Sequence, residues 1–299
     1  PEDLNEEQQM IVDTVVSFVE AEVMPIYDKI EKQEPGLTES LLEKAGELGL
    51  LGLAIPEEYG GMGKDFNTNS LLVENMAKAH SFSLSVGAHI GIGTLPIVYF
   101  GNEQQKSHYL PKLASGELKA CYCLTEPSSG SDALGAKTTA MLNAEGTHYI
   151  VNGQKMWITN SGFADVFIVF CQIDGDKFSC LILEKGMEGL TLGAEEKKMG
   201  IKGSSTRQVF LENVKVPKEN LLGEIGKGHL IAFNILNIGR YKLAVGVLGG
   251  SKSVIEQSVK YAVERQQFKV PIASFGAIQY KIAEMATRVY ALQSACYRA

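Results

Sequence analysis

The sequence predicts an α+β protein: an N-terminal helical domain, a small central β-barrel or sandwich, and a C-terminal helical bundle. Three observations predict it. The first 115 residues keep a helical period without strand alternation, residues 118 to 217 break into short alternating runs between turn residues, and the helical period returns from Gly228. The expected domains are 1–116, 117–225 and 226–299.

Each element follows from local pattern. Asn5 and Gln8 have capping-box spacing ahead of a helical face built from Val12, Val15, Val16, Val19 and Val23. Pro25 should kink or divide that helix. Further helices are expected from Thr38 to Leu48, around 68–80, through 85–100 and from Asn102 to Leu113. The stretch from Ala79 to Asn102 carries no formal charge and is long enough to span a bilayer, but its Ser, His, Pro and Gly content reads better as a buried helix and its loop. In the central region LKACYCLT at 118–125 alternates. Asn152-Gly153, between 149–151 and 154–158, has the composition of a two-residue hairpin turn. Asp174-Gly175-Asp176 marks a second turn between 166–173 and 178–183, and strands are also expected at 208–211 and 214–217. A long helix should run from Leu230 to Arg265 with Gly249-Gly250 inside it. Another begins at Ala277 and shows no stop signal by Ala299.

Composition removes several functional classes. Lys+Arg number 28 and Asp+Glu 35, a net charge of −7, and no Lys/Arg run exceeds two residues, so a nucleic-acid partner is not expected. Five cysteines, with no C-x-x-C pair, read as buried free thiols of a reducing compartment. The five histidines lack metal-ligand spacing and read as structural, so no metal site is expected. The start PEDLNEEQQ has no basic or apolar leader segment. No G-x-S-x-G elbow occurs, Gly223 to Gly228 lacks the Gly-Lys-Ser/Thr of a phosphate loop, and Gly91-Ile92-Gly93 lacks the third glycine of a dinucleotide fingerprint.

Two polar constellations remain. YCLTEPSSGSD at 122–132 places Thr125 at a strand end and Gly130-Ser131 in a loop whose backbone N–H groups could approach an anion. A plain surface turn has the same composition. KMWITN at 155–160 holds the chain's only Trp, with Thr159 two residues on, so alternation puts an aromatic plane and a hydroxyl on one strand face. Core packing is the competing reading.

In this order and on this α–β–α layout, the motifs resemble the acyl-CoA dehydrogenase family of flavoproteins. The resemblance spans essentially the whole chain: LGLLGLAIPEEYGGMG, YCLTEPSSGSD, NGQKMWITN, KMGIKGSSTRQVFLENVKVP, and NIGRYKLA through VERQQF. The segment Asn234 to Arg240 is most similar to the very-long-chain branch. The resemblance implies FAD, with Tyr122, Leu124 and Thr125 bordering the flavin, Trp157 beside it and Thr159 near N5. It places Gly130 and Ser131 at the pyrophosphate or the CoA moiety. Arg265, Gln267, Phe268, Phe275, Gly276 and Gln279 would reach the FAD of a neighbouring subunit, so a homodimer or homotetramer is expected. Asn237 and Arg240, with Ser131, match acyl-CoA positions.

The implied reaction is α,β-dehydrogenation of a fatty acyl-CoA, with electrons passed to an electron-transfer flavoprotein. The alternatives are a non-catalytic FAD- and acyl-CoA-binding protein and an acyl-CoA oxidase. The implied compartment is bacterial cytoplasm or mitochondrial matrix, without a transmembrane segment and with room for peripheral membrane association. One departure matters: where some branches place the catalytic Glu, this chain has Gly239. The base is therefore expected C-terminal of Ala299, as in the other branches, and no catalytic residue is assigned within the chain.

Overall fold

Asn5 and Gln8 form the predicted capping box: Asn5 Oδ1 accepts from the Gln8 N–H at 2.8 Å, and Gln8 Oε1 accepts from the Asn5 N–H at 3.2 Å. They start α1 (Glu6–Phe18) in a computed structural model that describes residues 4–299. The first three residues of the PEDLNEEQQ start lie outside the described residues. After α1 the chain passes through a π turn at Val19–Val23 and a tight turn at Met24–Ile26 into α2 (Tyr27–Glu31). The division falls at Pro25, which has no N–H to continue the helical ladder. Helices α3 (Leu37–Glu47) and α4 (Phe66–Met76) follow, and Val15, Phe18, Leu41, Leu42, Leu72, Met76 and Phe82 close a core among them.

The uncharged stretch is α5 (Ser81–Gly87), a π segment (Ala88–Gly93) and α6 (Leu95–Phe100). Together they are long and apolar enough to cross a membrane, but 78% of the most apolar window is buried inside the chain. His89, in the π segment, explains how polar groups are tolerated there. The Ala120 N–H donates to its Nδ1 at 3.1 Å, so Nε2 carries the proton and donates to the Leu113 carbonyl at 2.9 Å. Burial pushes its pKa down to about 4, against the pull of the Leu113 bond. The neutral ring thus joins the helical layer at the end of α7 (Glu103–Ser115) to the first strand.

The strands are β1 (Ala120–Cys123), β2 (Thr139–Leu142), β3 (His148–Thr159), β4 (Val166–Ile173), β5 (Lys177–Glu184), β6 (Leu190–Leu192), β7 (Thr206–Pro217) and β8 (Leu221–Leu222). Their order is β6-β7-β3-β2-β4-β5-β8, and β1 lies parallel to β4 over Val166–Val169. The terminal strands β6 and β8 do not pair with each other, so the sheet folds over as a sandwich and does not close into a barrel. Alternation sets its two faces. Cys121, Cys123, Phe167, Val169 and Cys171 fill the sandwich with Val209, Leu211, Val214 and Val216, while Tyr122, Leu124, Ile168 and Phe170 face the helices. The five cysteines are free and buried, as expected.

The Asn152-Gly153 hairpin is corrected. Both residues lie inside the unbroken β3, which pairs with β7 through a register shift between Val151 and Gly153. Asn152 Oδ1 accepts from the Asn213 N–H at 2.8 Å, so the Asn clasps the neighbouring strand instead of turning the chain. A Cβ on Gly153 would lie 2.4 Å from Thr138 Oγ1, so the glycine permits close approach of the segment entering β2. The second expected turn is present: Ile173 pairs with Lys177, with Asp174 at φ 51° and Gly175 at φ 94°.

Helix α8 (Gly228–Glu264) is 37 residues long, about 55 Å at 1.5 Å per residue. It too is long and apolar enough to cross a membrane, and 28% of its most apolar stretch is buried. Its interior Gly249 has a packing reason, since a Cβ there would sit 1.9 Å from the Glu74 carbonyl oxygen. Beyond α8, β9 (Gln266–Gln267) and β10 (Val270–Pro271) form a small hairpin, and α9 (Gly276–Arg298) packs back on α8 through Val289, Leu292 and Cys296.

Candidate functional site

Strand β1 delivers the first group of residues. Tyr122 and Leu124 are buried on its helix-facing side, with the Tyr122 ring 5.0 Å from Phe170 and its hydroxyl directed at the Ala232 carbonyl of α8 at 3.4 Å. Burial raises the Tyr122 pKa, so its hydroxyl stays neutral. Thr125 follows, half-buried, and its carbonyl accepts from the Met156 N–H at 2.8 Å. Glu126 and Ser129 then exchange two backbone hydrogen bonds, at 3.0 and 3.1 Å. This tight turn leaves Gly130 and Ser131 exposed, with nothing within 4 Å of where a Cβ on Gly130 would lie.

Strand β3 delivers the second group, through a distortion that simple alternation misses. A second register shift against β7 falls between Lys155 and Ile158. Lys155 and Ile158 both point into the sandwich, so Met156 and Trp157 share the bulge between them. Trp157 has φ 57° and is 61% exposed. A bulky residue held in this region is a backbone outlier that the surrounding structure must impose. Thr159 lies on the same open side, half-buried. Among the described residues neither the Thr125 nor the Thr159 hydroxyl takes a hydrogen-bond partner.

Two buried lysines escape a motif reading. Lys155, fully buried, donates to Glu126 Oε1 at 2.7 Å and to the Leu124 carbonyl at 3.2 Å. Glu126 also accepts the N–H groups of Lys137 at 2.5 Å and Thr138 at 3.1 Å. Burial drives this carboxyl upward, but the Lys155 charge and the donors outweigh it and hold it below the ordinary carboxylate value. In the unbroken β3, Val151, Gly153 and Lys155 share one parity, which makes Lys155 an inward charge in need of a partner; a hairpin at Asn152-Gly153 would hide that relation. Lys242 lies on the buried stripe of α8 with its Cδ 4.0 Å from a Cβ built on Gly91, and its Nζ has no hydrogen-bond partner among the described residues. Burial pushes its pKa down to about 8.

The remaining residues lie elsewhere on α8 and beyond it. Asn237 and Arg240 are exposed one turn apart, with Arg240 donating to Asn237 Oδ1 at 2.7 Å. Arg265 ends α8, and Gln267 belongs to the hairpin whose two turn residues, Phe268 and Lys269, both have positive φ (52° and 68°). The sequence lacked the Asn-Gly or Asp-Gly signal for this turn. Phe268 stands 89% exposed at the tip, edge-on to Phe275 at 6.2 Å, and Gly276 and Gln279 follow on α9. Ala232, which meets Tyr122, and Arg265 are 33 positions apart on a continuous helix, so about 50 Å separates the two groups.

Known families match the chain in three consecutive blocks: acyl-CoA dehydrogenase, N-terminal domain, over residues 5–117; middle domain over 121–214; and C-terminal domain over 226–299. A probable acyl-CoA dehydrogenase of Bacillus subtilis (strain 168) is 61% identical over 298 residues, covering 100% of this chain and 50% of that protein. The human mitochondrial very long-chain specific acyl-CoA dehydrogenase is 40% identical over 309 residues, covering 99% of this chain and 47% of that protein. The crystal structure of an acyl-CoA dehydrogenase complexed with FAD from Bacillus anthracis superposes with a TM-score of 0.98 at 59% identity, over 100% of this chain and 51% of that one. The chain thus spans about half the length of these relatives.

Proposed function

Because the chain belongs to the acyl-CoA dehydrogenase family, we propose that it forms the FAD-binding part of an enzyme that dehydrogenates fatty acyl-CoA thioesters between the α- and β-carbons. The observation that carries this reading is the bulge: an exposed Trp157 held at positive φ beside two unengaged threonine hydroxyls. That arrangement fits a flat heteroaromatic ring with polar edges, which FAD provides. When bound, FAD accepts a hydride equivalent from the substrate β-carbon.

The chain's own residues bind, orient and exclude water. Trp157 walls one side of the ring, and Tyr122 and Leu124 close the helix-facing side. Thr125 and Thr159 offer fixed donors where negative charge grows on reduction, so no solvent need reorganise. Gly130 and Ser131 leave room for a pyrophosphate or the CoA moiety, and Asn237 and Arg240 hold acyl-CoA from the exposed side of α8. Arg265, Gln267, Phe268, Phe275, Gly276 and Gln279 lie at and beyond the far end of α8, too far to reach the same ring, and we assign them to the FAD of a second copy. The α-proton acceptor is assigned to none of these 299 residues: position 239 is Gly, and the Glu126 carboxylate is held by Lys155. We place the protein inside the cell, with an electron-transfer flavoprotein as acceptor.

The test is anaerobic addition of a long-chain acyl-CoA to the flavin-loaded full-length protein. Bleaching of the flavin absorbance supports the reading, and unchanged absorbance points to a non-catalytic binder. Fast reoxidation by air in place of an electron-transfer flavoprotein would identify an oxidase.

A further inference from the structure

The Lys155–Glu126 pair is more than the turn beside it needs. A buried ion pair is weak evidence for stability, because taking two charges out of water costs about as much as their attraction returns. The turn already has its two Glu126–Ser129 backbone bonds, and its approach to β3 is fixed by the Met156–Thr125 bond. What the ammonium adds is a charge beneath Thr125. It donates to the Leu124 carbonyl, the residue before Thr125, and to the carboxylate of Glu126, the residue after.

The Leu124 carbonyl and the Thr125 N–H belong to one peptide group, and among the described residues that N–H has no backbone partner. A donor on the carbonyl oxygen draws electron density through the amide and makes the N–H a stronger donor, an effect enlarged in a low-dielectric interior. The Glu126 charge opposes it and is itself moderated by the Lys137 and Thr138 N–H groups. Neither side chain reaches the open face where Trp157 and the threonine hydroxyls stand, since Lys155 is fully buried and Glu126 nearly so. Their influence reaches that face through the Thr125 peptide and as a field across it.

We propose that Lys155 and Glu126 are a positioning pair that sets the donor strength of the Thr125 N–H and thereby the reduction potential of the bound flavin. This rests on the FAD reading above. A purely structural pair predicts that removing either partner loosens the turn and releases flavin, with no ordered effect on potential. The electrostatic role predicts opposite signs: less positive charge lowers the potential of the ring, and less negative charge raises it.

The experiment measures the flavin midpoint potential by dye equilibration in the full-length holoenzyme and its Lys155→Met, Lys155→Arg and Glu126→Gln variants, together with flavin content and melting temperature. Lys155→Met should shift the oxidised-to-reduced equilibrium about tenfold toward the oxidised form, about 30 mV for a two-electron couple. Glu126→Gln should shift it a similar amount the other way, and Lys155→Arg should stay near wild type. If Lys155→Met does not fold, the upward shift in Glu126→Gln still decides. Unchanged potentials, or shifts of the same sign in both variants, overturn the proposal. A wild-type protein that binds no FAD overturns the reading beneath it, a result separable from unshifted potentials in flavin-loaded variants.

Discussion

The Met156 N–H donates to the Thr125 carbonyl oxygen at 2.8 Å, so the segments that carry Thr125 and Trp157 are joined by a backbone bond as well as by the Lys155 side chain. Side chains in the bulge can therefore change without separating the loops. At position 157 the cost of the native side chain is conformational: φ 57° is a region that a Cβ disfavours by about 1–2 kcal/mol. Trp157→Gly should therefore be about 1 kcal/mol more stable than Trp157→Ala, measured by chemical denaturation of the flavin-free proteins. Both variants should lose flavin to the same degree, because both lack the indole. Equal stabilities would mean that the positive φ is not retained without the Trp.

His89 links the two layers that bracket the site, and its replacement should be costly. His89→Leu leaves the Ala120 N–H and the Leu113 carbonyl buried without partners, at about 1–3 kcal/mol each. A loss of about 2–5 kcal/mol is expected, with faster hydrogen exchange at the Ala120 amide. The pH dependence gives a second readout. The folded pKa of about 4 lies below the ordinary 6.5, so the unfolded chain binds the extra proton between these values. This contribution is fully present above pH 6.5 and is lost as pH falls toward 4. In His89→Leu that part of the acid limb should flatten, as followed by denaturation midpoints across the window.

Lys242 behaves in the opposite sense at neutral pH, because its buried charge meets no counter-ion among the described residues. Its pKa of about 8 lies below the ordinary 10.5, so the unfolded state holds more protons between pH 8 and 10.5 and stability rises with pH across that interval. Below pH 8 the penalty is complete, on the order of 3 kcal/mol at 1.36 kcal/mol per pKa unit. Lys242→Met should therefore stabilise the protein at pH 7, with the gain shrinking above pH 8 and gone beyond 10.5. Denaturation of both proteins at pH 7 and pH 10 checks this. A gain independent of pH would show that packing, not charge, is responsible.

What the sequence made legible follows from which signals are local. The capping box at Asn5, the helix start at Asn102, the break at Pro25 and the turn at Asp174-Gly175 depend on neighbours within a few residues, and each appears where expected. Asn152-Gly153 misled because a dipeptide suited to a turn also suits a strand opposite a bulge, here in β7 at Asn213 with φ 53°, and the choice was made by distant segments: Asn213 offers its N–H and Thr138 leaves no space for a Cβ at 153. The Trp157 bulge was illegible for the same reason. Candidate site residues came from motif resemblance, whereas Lys155 reads as inward only once β3 is known to run unbroken through Asn152-Gly153. Lys242 could not be inferred, since an α8 period in which polar and apolar residues alternate loosely does not mark one lysine as inward. The Phe268-Lys269 turn defied composition, because neither residue favours positive φ.

The tip of that turn carries the last prediction. Phe268 and Arg265 are exposed about 50 Å along α8 from Tyr122, which is too far for one FAD to touch both groups within a chain. Leu243, Val247, Val254 and Tyr261 along α8 and Tyr280 and Tyr290 on α9 are exposed as well. If each cofactor is shared between copies, Arg265→Ala and Trp157→Gly break different halves of every site. In a two-fold dimer carrying one copy of each variant, one site combines an intact Trp157 with the partner's intact hairpin, and the other combines both defects. Each homodimer should purify with little flavin, and doubly tagged mixed dimers should recover about half of the wild-type flavin content. Flavin in the mixed species no higher than in either parent would show that Arg265 serves the site of its own chain or no flavin site at all.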